Sequence, residues 1–186
     1  MGDKAERTRE KIRQAAYSLF AEKGFKEVTM TAICEQTGLS RGGLYRYYTG
    51  TGEIFSEILS QEYRISHRIA QGERATDILE DMLNEIRQEI LERERSLSLA
   101  IYEYASLGNE ELFVRLNDNA KSRWKSLIAY GMREGEFNEV DPDQASELIL
   151  YYYQGLRMWS RVIPLNTREA ENYVNSIRQM LCKNKD

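Results

Sequence analysis

Apolar residues return at intervals of three and four along nearly the whole chain, the period of helices with one buried face. In residues 4–23, "KAERTREKIRQAAYSLFAEK", the stripe is Ile12, Ala15, Ala16, Leu19 and Phe20, and Gly24 supplies a C-terminal stop. Phe25 and Val28 lead to Thr29, placed to cap a short helix through Ile33 to Thr37. Gly38 breaks that helix, Leu39 tucks inward, and Ser40 is positioned to cap another over residues 41–48. Ile33, Leu39, Leu44 and Tyr48 then share one apolar seam across helix, glycine turn and helix. That is the layout of a helix-turn-helix, whose second helix enters the major groove of DNA.

The pattern beyond it is helical too. From Glu53 a long helix is expected through Ile54, Ile58, Leu59 and Tyr63 toward Ala70, with a break at Gly72. Residues 76–95 set Ile78, Leu79, Met82, Leu83, Ile86, Ile90 and Leu91 among alternating charges, a clear amphipathic face. "SLSLAIYEYASL" follows as a more apolar helix ending near Gly108. Asn109 caps a long one bearing Leu112, Phe113, Leu116, Ala120, Trp124, Leu127 and Ile128, which Gly131 and Gly135 end or loosen. "VDPDQASEL" starts the next, with Asp141 at the N-cap and Pro142 at the first helical position. This helix, "ASELILYYYQGLRMWSRVI", is apolar on nearly every side from Leu148 to Tyr153. It is therefore expected to be buried all round, inside its domain or beneath a second chain. Residues 168–182 form a last amphipathic helix through Tyr173, Val174, Ile177, Met180 and Leu181. The fold class is all-α.

Composition narrows the class further. Apolar residues at 41% and charged residues at 30% suit a soluble helical globule, and two prolines leave little punctuation for an all-β fold. No apolar run approaches the roughly 18 residues of a membrane span. The N-terminus lacks the apolar core of a signal peptide, and Glu6 stands where a myristoylation signal needs Ser or Thr. A cytoplasmic protein with no membrane partner is expected. Cys34 and Cys182 fall in apolar helical patterns and read as reduced thiols rather than a disulfide. His67, the single histidine, has no His or Cys neighbour at ligand spacing, so no metal site is assigned. It also leaves no Ser–His–Asp or Cys–His arrangement. "GTGEIF" lacks the third glycine of a dinucleotide fingerprint and the Lys-Ser/Thr of a phosphate loop. No cofactor and no catalytic residue follow, and the chain is not expected to be an enzyme.

Net charge is −4, but it is not evenly spread: residues 1–60 hold nine basic and eight acidic residues, the remainder seventeen and twenty-two. That asymmetry permits a DNA-facing N-terminal part without arguing for one. The second helix of the motif argues more. Gly42 and Gly43 lack side chains, which lets backbone amides and the helix's positive end come near a duplex. Each glycine costs about 1 kcal/mol of helix propensity, an odd choice unless close approach matters. With Leu44 and Tyr48 turned inward, Arg41, Gly42, Tyr45 and Arg46 lie outward and Tyr47 on the flank. Arginines at such positions read guanine or hold phosphate, and tyrosines bond phosphate oxygens or touch thymine methyls. A plain aromatic core helix with solvated arginines has the same spacing.

The wider stretch is more discriminating. "TMTAICEQTGLSRGGLYRYYTGTGEIFSEIL" resembles the DNA-binding segment of the TetR (tetracycline-repressor) family, and residues 8–59 follow its order. The shared features are an N-cap Thr, "Gly-apolar-Ser", then "basic-Gly-x-Leu-Tyr-x-aromatic-aromatic" and an acidic-apolar-Phe helix start. A long first helix ending in "Gly-Phe" precedes them. The resemblance implies a three-helix DNA-binding domain in residues 1–52 and a helical ligand-binding and dimerisation domain in 53–186. It assigns DNA contact to Thr29, Thr31, Ser40, Arg41, Gly42, Gly43, Tyr45 and Tyr47, beside the outward Arg46. One departure stands out: Thr51 occupies a position where members commonly hold a phosphate with lysine.

A repressor of this kind binds a palindromic double-stranded operator as a homodimer and is released by a small apolar or amphipathic effector. Aromatic walls with a few polar groups suit such a ligand, and Tyr102, Glu103, Trp124, Tyr152, Gln154 and Trp159 supply them, although any helical core needs aromatics too. The two terminal helices offer Leu148, Tyr152, Trp159, Tyr173, Ile177 and Leu181 to a two-fold four-helix interface. Two rivals remain open: a DNA-binding protein of the same shape without a small ligand, and a helical ligand carrier that binds no DNA.

Overall fold

The computed structural model describes residues 2–60, 65–92, 96–160 and 162–183. Among them every regular element is a helix, apart from an isolated antiparallel bridge between Phe137 and Cys182. The order is α1 (Gly2–Lys23), α2 (Met30–Thr37), α3 (Arg41–Tyr45), α4 (Thr51–Leu59), α5 (Ile65–Ala70), α6 (Ala75–Leu91), α7 (Ser98–Ala105), α8 (Glu110–Arg133), α9 (Pro142–Trp159) and α10 (Thr167–Leu181). Two compact units result, one from residues 1–61 and 94–113, the other from 62–93 and 114–186. These units are not divided at residue 52: α4 and the distant α7 both side with α1–α3.

The first unit is built on the α1 stripe. Ile12, Ala16, Leu19 and Phe20 are buried against Ile33 and Cys34 of α2, Leu44 and Tyr48 around α3, and Ile54, Phe55 and Ile58 of α4. Aromatic rings fill its centre, with Phe20 edge-on to Phe55 at 4.7 Å and Phe25 tilted against Tyr104 at 4.5 Å. Ion pairs tie α1 to α4: Arg9 and Arg13 both reach Glu57, and Arg13 also holds Glu6 and Glu10.

In the second unit the inner faces of α6, α8, α9 and α10 meet. Ile78, Leu79, Leu83 and Ile90 pack with Trp124, Leu127, Ile128, Ile149, Tyr173, Val174, Ile177 and Leu181. Polar groups inside find partners: Tyr173 Oη donates to the Ile149 carbonyl at 2.7 Å, and Tyr130 Oη to the Glu73 carbonyl at 2.9 Å. Glu136 serves the open amides of α6, accepting from Ala75 N, Thr76 N and Thr76 Oγ1.

Several elements differ from expectation. The helix expected over 41–48 ends at Tyr45 and continues as a turn through Tyr47. The long helix from Glu53 stops at Leu59, capped at Ser60, and helix resumes at Ile65; Tyr63 lies outside the described residues. α6 ends at Leu91, and residues 93–95 of the expected 76–95 helix also lie outside. Gly131 does not end α8; a Cβ there would stand 2.3 Å from Phe137 Cδ2, so its role is to admit that ring. Gly135, at φ 72°, is where the backbone turns. α9 is not buried all round: Leu148, Tyr151 and Tyr152 are each more than half exposed, while Ile149 and Leu150 face inward.

Candidate nucleic-acid interface

Two side-chain caps and one left-handed glycine shape the helix-turn-helix. Thr29 Oγ1 accepts from Ala32 N at 3.2 Å to start α2, and Ser40 Oγ accepts from Gly43 N at 3.1 Å to start α3. Between them Gly38, at φ 70° and ψ 15°, closes α2 in a conformation that costs other residues strain. Leu44 and Tyr48 are sunk in the core, which leaves Arg41, Gly42, Tyr45 and Arg46 exposed and Tyr47 half-buried. The sequence-derived orientation of this helix holds.

The outward side chains are already arranged in pairs. Arg41 Nη2 donates to Thr31 Oγ1 at 2.8 Å, joining α3 to the first turn of α2. The Arg46 guanidinium lies 5.3 Å from the centre of the Tyr47 ring and donates to its hydroxyl at 3.4 Å. That contact, aided by Thr8 of α1, holds the Tyr47 phenol below its usual range. At the start of α4, Gly50 has extended backbone and no side chain caps the helix. Glu53 instead accepts from Thr49 N at 2.7 Å and Thr49 Oγ1 at 2.9 Å, bonds that hold its carboxyl below the usual carboxylate range. Thr51 is half-buried in this first turn.

The glycines divide differently from expectation. Gly43 is not a free amide for phosphate, because Ser40 already takes its hydrogen. Gly42 and Gly50 face open space. Gly52 faces inward: a Cβ there would lie 3.3 Å from Tyr104 Oη, so this glycine admits a tyrosine.

Sequence reasoning missed α7 as part of this unit. Tyr104 Oη bonds Ser56 Oγ at 3.0 Å and donates to the Gly52 carbonyl at 3.3 Å. Its ring packs on Phe25, Phe55 and Phe113. Glu103 Oε2 accepts from Lys26 N at 3.0 Å and lies where a Cβ on Gly24 would be, 2.7 Å away. α7 thus clamps the α1–α2 corner and the start of α4. The sequence held one signal, "YEY" on a helix with polar groups at odds with its apolar run, but nothing local pointed it at residues fifty positions earlier.

The expected pocket residues fall in both units. Glu103 is engaged by the α1–α2 corner, and its neighbour Tyr102 is 63% exposed in the same unit. In the second unit Trp124 is buried in the core, whereas Tyr152, Gln154 and Trp159 are exposed on α9. The interface set needs a parallel correction. Tyr173, Ile177 and Leu181 face α6 and α9 within the chain and are at most 2% exposed, so they have no surface to offer a partner. Leu148, Tyr152 and Trp159 do.

Two short helices joined by a glycine turn, with an exposed Arg–Tyr face on the second and a larger helical unit following, define a helix-turn-helix DNA-binding protein of the transcriptional-regulator class. Residues 12–58 match the sequence model for bacterial regulatory proteins of the tetR family, and residues 72–162 that for the tetracyclin repressor-like C-terminal domain. The uncharacterized HTH-type transcriptional regulator YfiR of Bacillus subtilis (strain 168) is 30% identical over 140 residues, 70% of this chain and 68% of that one. The chain belongs to the TetR family. Its fold is shared, at a TM-score of 0.75 and 16% identity, by a chain solved for the molecular basis of control of antibiotic production by bacterial hormones, with 95% of this chain and 98% of that one covered. NalD of Pseudomonas aeruginosa, the secondary repressor of the MexAB-OprM multidrug efflux pump, matches at a TM-score of 0.65 and 19% identity over 98% of this chain and 100% of its own. Members of the family bind DNA operators as dimers, often with small-molecule effectors. No helix among the described residues is long and apolar enough to cross a membrane.

Proposed function

We propose that this chain is a non-enzymatic repressor that binds a palindromic operator as a homodimer and is released by a small apolar or amphipathic effector. The observation that carries the reading is the outward face of α2 and α3: Arg41 paired with Thr31, Arg46 stacked on Tyr47, and Tyr45 exposed beside them. These are donors and flat rings of the kind that meet phosphates and base edges. Thr29 and Ser40 act first as caps, and Gly42 leaves the α3 surface bare for close approach. Thr51 opens α4, at the position where the resemblance expects a phosphate-holding lysine.

Dimerisation is supported by a stripe on α9 and beyond. Leu148, Tyr151, Tyr152, Met158, Trp159 and Val162 recur at helical spacing, each more than half exposed. An apolar row of that length calls for a cover, and a second copy offers the same row across a two-fold axis. Two copies also give two readers, which one short helix needs for a specific site. Residues 53–186 would carry the ligand and dimer functions, with α4 and α7 held to the reader.

A mobility-shift titration of the full chain against the DNA upstream of its own gene, followed by footprinting, tests the reading. A protected sequence with two half-sites is expected. Binding no tighter than to scrambled DNA would refute it.

A further inference from the structure

The arginines of the first unit divide by partner. Arg9 and Arg13 of α1 are paired with Glu57, and Arg46 lies over the Tyr47 ring. Arg41, the first residue of α3, is exposed and donates from Nη2 to Thr31 Oγ1 at 2.8 Å. Thr31 is itself exposed, in the first turn of α2. Glu35, one turn further along α2, is exposed too, yet among the described residues no ion pair within 4.0 Å ties Arg41 to it or to any other acid. Thr31 thus fixes the direction of a guanidinium that keeps its whole charge.

Direction matters little to a phosphate, which accepts from many angles and carries no sequence information. It matters at a base edge, where the acceptors stand in a fixed pattern. Arginine only donates, so its match is a pair of acceptors side by side. In the major groove guanine alone presents such a pair, O6 and N7. Thr31 occupies one Nη2 hydrogen, and the other, together with Nη1, still forms the parallel fork that spans two acceptors. The helix surface beside the fork is bare, because a Cβ on Gly42 would meet open space.

We infer that Arg41 reads a guanine of the operator half-site through O6 and N7, and that Thr31 sets this specificity as the positioning residue of Arg41. This rests on the DNA-binding reading above and names one base of its target. Thr31 acts by holding the fork, without a base contact of its own.

Selection by the full chain from a randomised duplex library supplies the site. Each guanine of a half-site is then replaced singly by 7-deazaguanine, which lacks N7, or by inosine, which keeps O6 and N7 and lacks only the minor-groove amino group. At one guanine the 7-deaza base is expected to weaken binding about tenfold, and inosine to change it by no more than about twofold. Arg41→Ala should abolish that 7-deaza penalty. Thr31→Val, of the same shape without the hydroxyl acceptor, should at least halve it, and Thr31→Ser should restore it. The salt slope of Thr31→Val should stay at the parent's, since no charge is lost. Both side chains are exposed, and circular dichroism checks that the variants are folded. A purely structural Thr31 would instead lower affinity for every duplex and leave the penalty whole. No guanine with a 7-deaza penalty, a penalty undiminished in Arg41→Ala, or one that Thr31→Val fails to halve overturns the inference. So does a salt slope that Arg41→Ala flattens by about 2 per dimer with the penalty retained, which makes Arg41 a phosphate anchor. If Arg41→Ala binds too weakly to compare, Thr31→Val and Thr31→Ser decide. An enriched site that fails these tests leaves the regulator reading standing, whereas a library from which nothing is enriched overturns both.

Discussion

Arg41 spends its Nη2 on Thr31, and so is held in one direction before any DNA arrives. Side chains fixed in advance lose less freedom on binding, which favours Arg41 among the proposed readers. Arg41→Ala and Tyr47→Ala are each expected to weaken operator binding by about 1–3 kcal/mol, with fold and dimer intact, as measured by fluorescence anisotropy and sedimentation. Parent-like affinity in both would remove α3 from the interface. Thr51 makes a different prediction. Each phosphate neutralised adds about 0.9 to the slope of log affinity against log salt, so Thr51→Lys should steepen it by roughly 2 for a dimer. Operator and scrambled DNA should gain almost equally, because phosphate contacts position without reading. An unchanged slope would mean that residue 51 points away from the strand.

At the scale of elements, three caps were legible and the joints were not, while the Asn166–Glu169 capping box that starts α10 went unread. Thr29, Ser40 and Asp141 cap the helices that they were expected to cap, because capping is local: a short polar side chain reaches an amide two or three residues on. Gly131 misled for the opposite reason. A glycine late in a helical pattern looks like a stop, but here Phe137 folds back against it from beyond Gly135. Gly131→Ala should therefore destabilise by about 1–3 kcal/mol through overpacking, although alanine is the better helix former; urea denaturation reads the sign. A gain in stability would show that the ring yields easily. Tyr104 joins two elements far apart in sequence. Tyr104→Phe removes its bonds to Ser56 and Gly52 while keeping the ring. Each bond contributes about 0.5–1.5 kcal/mol, so the variant should unfold at lower urea and bind operator less tightly. A loss of stability with unchanged DNA affinity would restrict α7 to a purely structural role.

For the molecule as a whole, the exposed row on α9 is the surface proposed for a second copy. A charge at Leu148 meets water in the single chain and an apolar partner in a dimer, whereas a charge at Ile177 meets only the chain's own core. Leu148→Glu is thus expected to yield folded monomers with weakened operator binding, and Ile177→Glu to yield unfolded protein, since a buried unpaired charge costs about 3–5 kcal/mol. Sedimentation together with circular dichroism separates the two outcomes. A folded Leu148→Glu dimer would move the interface elsewhere.

The sequence by itself determined the all-helical pattern, the caps at Thr29, Ser40 and Asp141 and the outward face of α3. Period, cap and glycine turn act over a few residues, and Leu44 and Tyr48 can point only one way if Arg41 and Tyr45 are to stay wet. Only the tertiary structure decided which apolar residues meet. "ELILYYY" shows apolar groups on every side of a helix, and nothing local distinguishes Ile149, buried in the core, from Leu148, left exposed. The same holds for Tyr104 at Gly52. Those pairings depend on how whole helices pack, and packing selects among equally apolar faces by shape rather than by composition.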